Sequence, residues 1–198
     1  MKPVYSLVVI GTSWGGLHAL TTILEGLPAT FPVPLVIVQH RGREVMSMLP
    51  ELLQEYTSLH VADAEDKDIL QPRHVYLAPP DYHLLVEQGF MSLSTDPCVK
   101  YSRPSIDVTF QSAADVYGTR AIGVVLTGAN DDGAQGLRRV ADRSGYAIVQ
   151  DPTTAESPVM PAAALRAVPD ARVLQLAQIA PYLTSLTAHS LVQQSLSK

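Results

Sequence analysis

Short, almost uninterrupted runs of apolar residues recur along this chain and alternate with stretches of helical periodicity, and that alternation limits its folds more than any other feature. The runs VVI at 8–10, LVIV at 35–38 and IGVVL at 122–126 lack the apolar–polar alternation of a half-exposed strand, so both of their faces must be buried. Helical patterns follow at 16–27, 44–56, about 104–117, 133–144 and 159–167, with further strands in LHVADA, HVYLAPP, YAIVQD and ARVLQL and a helix after the last of these. This order predicts an α/β fold: three layers, with a doubly wound, mostly parallel sheet between helices. The segment HLLVEQGFMSLS departs from it and reads as a small β-hairpin insertion turning at Gln88 and Gly89. One domain over residues 1–188 is expected, followed by a tail, 189–198, that frays.

Composition excludes several functions. With 46% hydrophobic residues among 198, the chain can bury a sizeable core. A formal charge of −5 gives no basic footprint, so nucleic acid is not an expected partner. Cys98 is the single cysteine, which rules out an internal disulfide and a cysteine-rich metal cage and agrees with a reducing compartment. No run approaches the roughly 18 apolar residues that span a bilayer, so no direct membrane insertion is expected and the reading is a cytoplasmic, soluble protein.

In open parallel sheets ligands bind beyond the carboxyl ends of the strands, which makes the residues just after each apolar run the informative ones. The first run ends in Gly11-Thr12-Ser13, the second in Gln39-His40-Arg41, and AIGVVL in Thr127-Gly128-Ala129-Asn130-Asp131-Asp132-Gly133. A hydroxyl, an imidazole and a carboxylate thus emerge at one edge. Those are the parts of a serine hydrolase: a nucleophile, a base to take its proton, and an acid to orient the base. Gly15 and Gly16 let the backbone approach a substrate closely, and the amides of the following helix could hold an oxyanion. Taken singly, Ser13 and Asp132 could cap helices and His40 could satisfy a loop carbonyl.

Other glycine-rich turns fit less well. Gly11-Thr12-Ser13-Trp14-Gly15 spells the G-x-S-x-G elbow of α/β-hydrolases, but the order Ser, His, Asp and the serine's place after the first strand differ from that fold. A dinucleotide fingerprint needs glycine where Ser13 stands, and no Gly-Lys-Ser/Thr closes a Walker loop.

Five segments in order, IGTSWGG, VIVQH, LAPPDYHLLV, RPSIDVTFQSAA and GVVLTGANDDGAQGL, resemble the catalytic domain of the CheB family of chemotaxis protein-glutamate methylesterases, from Val4 to about Leu186. The resemblance implies Ser13 as nucleophile, His40 as general base and acid, Asp132 as the orienting carboxylate with neighbouring Asp131 solvated, and oxyanion donors at the backbone N–H groups of Trp14 and Ala129. It implies hydrolysis of glutamate methyl esters on the cytoplasmic helices of a chemoreceptor or similar signalling protein, releasing methanol, with deamidation of selected glutamines as a companion activity and no cofactor. Three departures mark the sequence: Trp14 where the family carries threonine, Ala129-Asn130 where it carries Met-Gly, and a start at the esterase's first strand where the family's usual form has a receiver domain ahead of it, which leaves open a stand-alone esterase or an excised domain. They keep open an esterase or amidase acting on another substrate and a catalytically silent receptor-binding module.

The remaining candidates have two readings each. His83 lines the cleft or packs the hairpin; Arg103 and Arg41 face the cleft or form surface ion pairs; Trp14 is expected at the cleft. His18 reads as structural or surface, and His60, His74 and His189 lack partners at ligand spacing, so no metal is assigned.

Overall fold

The computed structural model describes residues 4–40 and 48–188. Its elements in chain order are β1 (Leu7–Thr12), α1 (Gly16–Gly26), β2 (Leu35–Gln39), α2 (Leu49–Gln54), β3 (His60–Asp63), β4 (His74–Leu77), β5 (His83–Val86), β6 (Met91–Ser94), α3 (Ile106–Tyr117), β7 (Ala121–Val125), α4 (Ala134–Asp142), β8 (Tyr146–Gln150), α5 (Val159–Ala167), β9 (Arg172–Leu174) and α6 (Leu176–Thr187). Seven strands form one parallel sheet in the order β3-β4-β2-β1-β7-β8-β9, and β5 pairs antiparallel with β6 as the expected hairpin. Its two-residue turn closes through Glu87 N–H donating to the Phe90 carbonyl at 2.9 Å, with Gly89 at φ 86°. Of the helix expected over 44–56, Leu49–Gln54 is present and 41–47, Arg41 included, lie outside the described residues, as do His189 and the tail. Among the described residues no helix is long and apolar enough to cross a membrane.

The central strands divide their side chains between two cores because successive residues point to opposite faces. Val8, Ile10, Leu35, Ile37, Ile122 and Val124 pack with Leu20, Ile23 and Leu24 of α1 and Ile179 and Leu183 of α6. On the other face Leu7, Val9, Val36, Val38 and Val125 meet Ile106 and Phe110 of α3, Leu137 and Val140 of α4 and Met160 of α5. Full burial of such a side chain contributes about 1.5–3 kcal/mol, so two filled layers account for the uninterrupted apolar strands.

β1 pairs with β2 on one side and β7 on the other. The chain therefore winds outward in both directions from β1, and a crevice opens beyond the carboxyl ends of the three central strands.

Candidate active site

Ser13 leaves β1 on a turn held from three directions. Its N–H donates to the Thr127 carbonyl at 3.0 Å, and its own carbonyl accepts from Gly16 N–H and from Gln39 Nε2, both at 2.9 Å. Thr12 Oγ1 donates to the Thr127 carbonyl at 2.8 Å, and Thr127 Oγ1 returns a bond to the Trp14 carbonyl at 2.9 Å. Gly15 then takes a left-handed conformation, φ 76°, that turns the chain into α1. A Cβ added at Gly16 would collide with Gln39 Oε1 and lie 2.8 Å from both Thr12 Cγ2 and Oγ1. Because Gln39 also donates to the His40 carbonyl, Gly16→Ala should displace the side chain that ties the serine turn to the histidine turn. Thermal unfolding should register a loss of about 1–3 kcal/mol, the usual cost of overpacking.

His40 follows β2 and reaches across the sheet edge, its Nε2 2.8 Å from Asp132 Oδ2. Asp132 is fully buried. Its carboxylate also accepts from Ile106 N–H at 2.7 Å and from Asp107 N–H, Gly133 N–H and Ser105 Oγ at 3.0 Å each, so it caps α3 from a distant loop. Burial alone would raise its pKa, but the hydrogen bonds from His40 and from the Asp107 and Ile106 amides outweigh that and hold it below the usual carboxylate value. The other ring nitrogen of His40, Nδ1, faces Asn130 Nδ2 at 3.5 Å, and Asn130 Oδ1 accepts the Asp132 N–H at 3.1 Å.

A second buried carboxylate, absent from the sequence reading, lies behind the first. Asp107 Oδ1 accepts from Gly133 N–H at 2.9 Å and Gly136 N–H at 2.7 Å at the start of α4, while Lys100 Nζ sits 3.1 Å from Oδ2. The two helices thus exchange caps: the acid before α4 holds the amides of α3, and the acid on α3 holds those of α4. Burial, followed by the charge of Asp132, raises the Asp107 pKa despite the Gly136 amide and Lys100. An acid whose folded pKa lies above its unfolded value costs stability as pH rises between the two, because the native state then binds more protons. Asp107→Asn keeps an acceptor for both amides and removes that charge, so its unfolding free energy should fall less than wild type between acid and neutral pH. Asp107→Ala should lose about 2 kcal/mol in the same denaturant titration, since the buried Gly136 N–H is left without a partner and the Gly133 N–H keeps only Asp132.

Ser13, Trp14, Gly15, Gly16, Leu17, His18, Gln39, His40, Ala129 and Glu156 line one open cleft of about 580 Å³. The Trp14 side chain stands at 65% exposure. Among the described residues Ser13 Oγ has no hydrogen-bond partner, and the N–H groups of Trp14 and Ala129 donate to no protein acceptor. Asp131 points to solvent, 3.4 Å from Lys100 Nζ. His83 is buried away from the cleft: Nδ1 accepts the Ser105 N–H at 3.2 Å and Nε2 lies 3.1 Å from the Pro97 carbonyl, which steadies the serine that donates to Asp132. Arg103 pairs with Asp81 at 2.8 Å and donates to the Thr95 and Asp96 carbonyls. His18 is exposed at the cleft rim, and the His60 and His74 rings meet edge to face at 5.0 Å on adjacent strands.

A profile of the CheB methylesterase family matches residues 8–183. A protein of Leptospira interrogans is 44% identical over 191 residues, covering 96% of this chain and 99% of that protein. The protein-glutamate methylesterase/protein-glutamine glutaminase 1 of Carboxydothermus hydrogenoformans is 41% identical over 180 residues, 88% of this chain but 53% of that longer protein. The chain thus spans about half the length of such longer relatives. The crystal structure of the Thermotoga maritima CheB methylesterase catalytic domain superposes with a TM-score of 0.88 at 34% identity, covering 92% of this chain and 98% of that one. On fold, extent of match and sequence identity together, this chain belongs to the CheB methylesterase family.

Proposed function

We propose that the chain is a serine-type carboxylic ester hydrolase that removes methyl groups from glutamate side chains on the cytoplasmic helices of a chemoreceptor, and that it also deamidates glutamines there. The observation that carries this reading is the 2.8 Å contact from His40 Nε2 to a buried, multiply hydrogen-bonded Asp132 in the cleft that Ser13 lines. The names of the family relatives support the substrate.

With Nε2–H donated to Asp132, Nδ1 is the nitrogen left to accept the Ser13 proton, in place of its long 3.5 Å contact with Asn130 Nδ2. Ser13 Oγ attacks the γ-carbonyl carbon as its proton passes to Nδ1, and the carbonyl π pair moves onto oxygen. The N–H groups of Trp14 and Ala129, which donate to no acceptor among the described residues, receive that oxyanion. Collapse breaks the bond to methoxide, which takes the proton from His40 and leaves as methanol. Water, deprotonated by the same nitrogen, then attacks the acyl-enzyme and returns the proton to Ser13 as free glutamate forms. Ser13 Oγ must come within hydrogen-bond reach of Nδ1, beside Asn130 Nδ2 at 3.5 Å.

Incubation with radiomethylated receptor and measurement of volatile methanol tests the assignment: release above the uncatalysed rate is expected, and none with folded protein would overturn it. A second reading, an esterase of the same mechanism with another substrate, is favoured by the exposed Trp14 ring at the cleft. Rapid hydrolysis of small activated esters with methylated receptor untouched would select it.

A further inference from the structure

Glu156 joins the cleft from a remote part of the chain, in the segment that leads into α5, and its position is specific. A Cβ on Gly15 would lie 2.7 Å from Glu156 Cβ and 2.8 Å from its Oε2, so the carboxylate lies against the backbone between Trp14 and the start of α1. Among the described residues Glu156 has no ion pair or hydrogen bond, and it is exposed. Next to it along the chain from Gly15 is Trp14, whose large ring is mostly in water. An indole ring left in water gives up burial that the fold does not recover, and Glu156 lines the same cleft. A π face and an anion lining one cleft are the two groups that attract a cation.

We propose that Glu156 and the Trp14 ring form a subsite for a lysine or arginine side chain of the substrate, so that the enzyme selects methylated glutamates with a cationic neighbour. This deepens the function proposed above and rests on it only for the identity of the reacting ester. On a helical substrate the neighbour would lie three or four residues from the ester, because those positions share its face. The subsite contributes selectivity, and the bond-making steps remain with Ser13 and His40.

Trp14 is the chain's single tryptophan, so its fluorescence reads occupancy of this cleft without requiring turnover. The test uses helical peptides with one glutamate methyl ester and, four residues before or after it, either lysine or uncharged norleucine. Each is titrated onto the full chain, with Ser13→Ala used for binding so that the ester survives. At low salt the lysine peptide of at least one pair should bind about tenfold more tightly, the sum of an exposed cation–π contact and a screened ion pair. The preference should shrink with added salt, fall below about twofold with Glu156→Gln added, and reverse with Glu156→Lys. Equal binding of lysine and norleucine peptides in both pairs, or a lysine preference that survives Glu156→Gln, would overturn the subsite. Methanol release by wild type from the same peptides reads the other proposal separately. Preference without release would sink the methylesterase and keep the subsite, and release without preference would do the opposite.

Discussion

Ser13→Ala should lower kcat/KM for methanol release by about 10⁴- to 10⁶-fold, the range over which loss of a triad nucleophile leaves only binding and oxyanion stabilisation. Its effect on folding should be small. The hydroxyl has no hydrogen-bond partner among the described residues, and the turn is held by backbone groups and by Thr12, Gln39 and Thr127, none of which is altered. The unfolding free energy should therefore stay within about 0.5 kcal/mol of wild type, as for substitutions that break no buried contact. A serine-reactive fluorophosphonate should label wild type and leave the variant unmodified. Retention of more than a tenth of the methanol release would remove Ser13 from the chemistry, because among the described residues no second hydroxyl lines the cleft.

The fold was legible because its strands are apolar on both faces: VVI, LVIV and IGVVL became β1, β2 and β7, the three central strands, and the hairpin turned where Gln88 and Gly89 were expected. Reading only the residues after those strands also found side chains that the sheet brings to one crevice, since β1 lies between β2 and β7. What stayed hidden was non-local. The sequence reading passes over Asp107, one acid in the first turn of a helix, where the helix dipole alone favours it. Nothing in its spacing shows that it holds α4 while Asp132, 25 residues on, holds the helix on which Asp107 sits. Lys100 and Glu156 were missed for the same reason, each lying in irregular chain whose path is set by tertiary contacts. His83 had two readings, and hydrogen bonds to Ser105 and Pro97, neither predictable from periodicity, place it in packing.

Asp132→Asn separates what Asp132 does for His40 from its steric presence. The carboxylate accepts at both oxygens: Oδ1 from Ser105, Asp107 and Gly133, and Oδ2 from His40 and the Ile106 N–H at 2.7 Å. An asparagine can satisfy the first set with its carbonyl, but its NH₂ then faces the Ile106 N–H, donor against donor, at a cost of about 1–3 kcal/mol. The same NH₂ donates to His40 Nε2 and drives the ring proton onto Nδ1, the nitrogen that must accept from Ser13. A base holding a proton at its working nitrogen cannot take another, so kcat should fall about 10⁴-fold, the scale seen when a triad acid is replaced by its amide. Acid should narrow the stability difference. Because the Asp132 pKa is depressed in the folded state, its contribution is complete above the unfolded carboxylate pKa and is lost as pH falls through the lower folded value. Wild type and variant should accordingly differ most in thermal unfolding at neutral pH and converge in strong acid. A constant gap across that range would mean that packing at this site, rather than the ionised carboxylate, holds the start of α3. Full activity in the variant would mean that His40 takes its orientation from Asn130 instead.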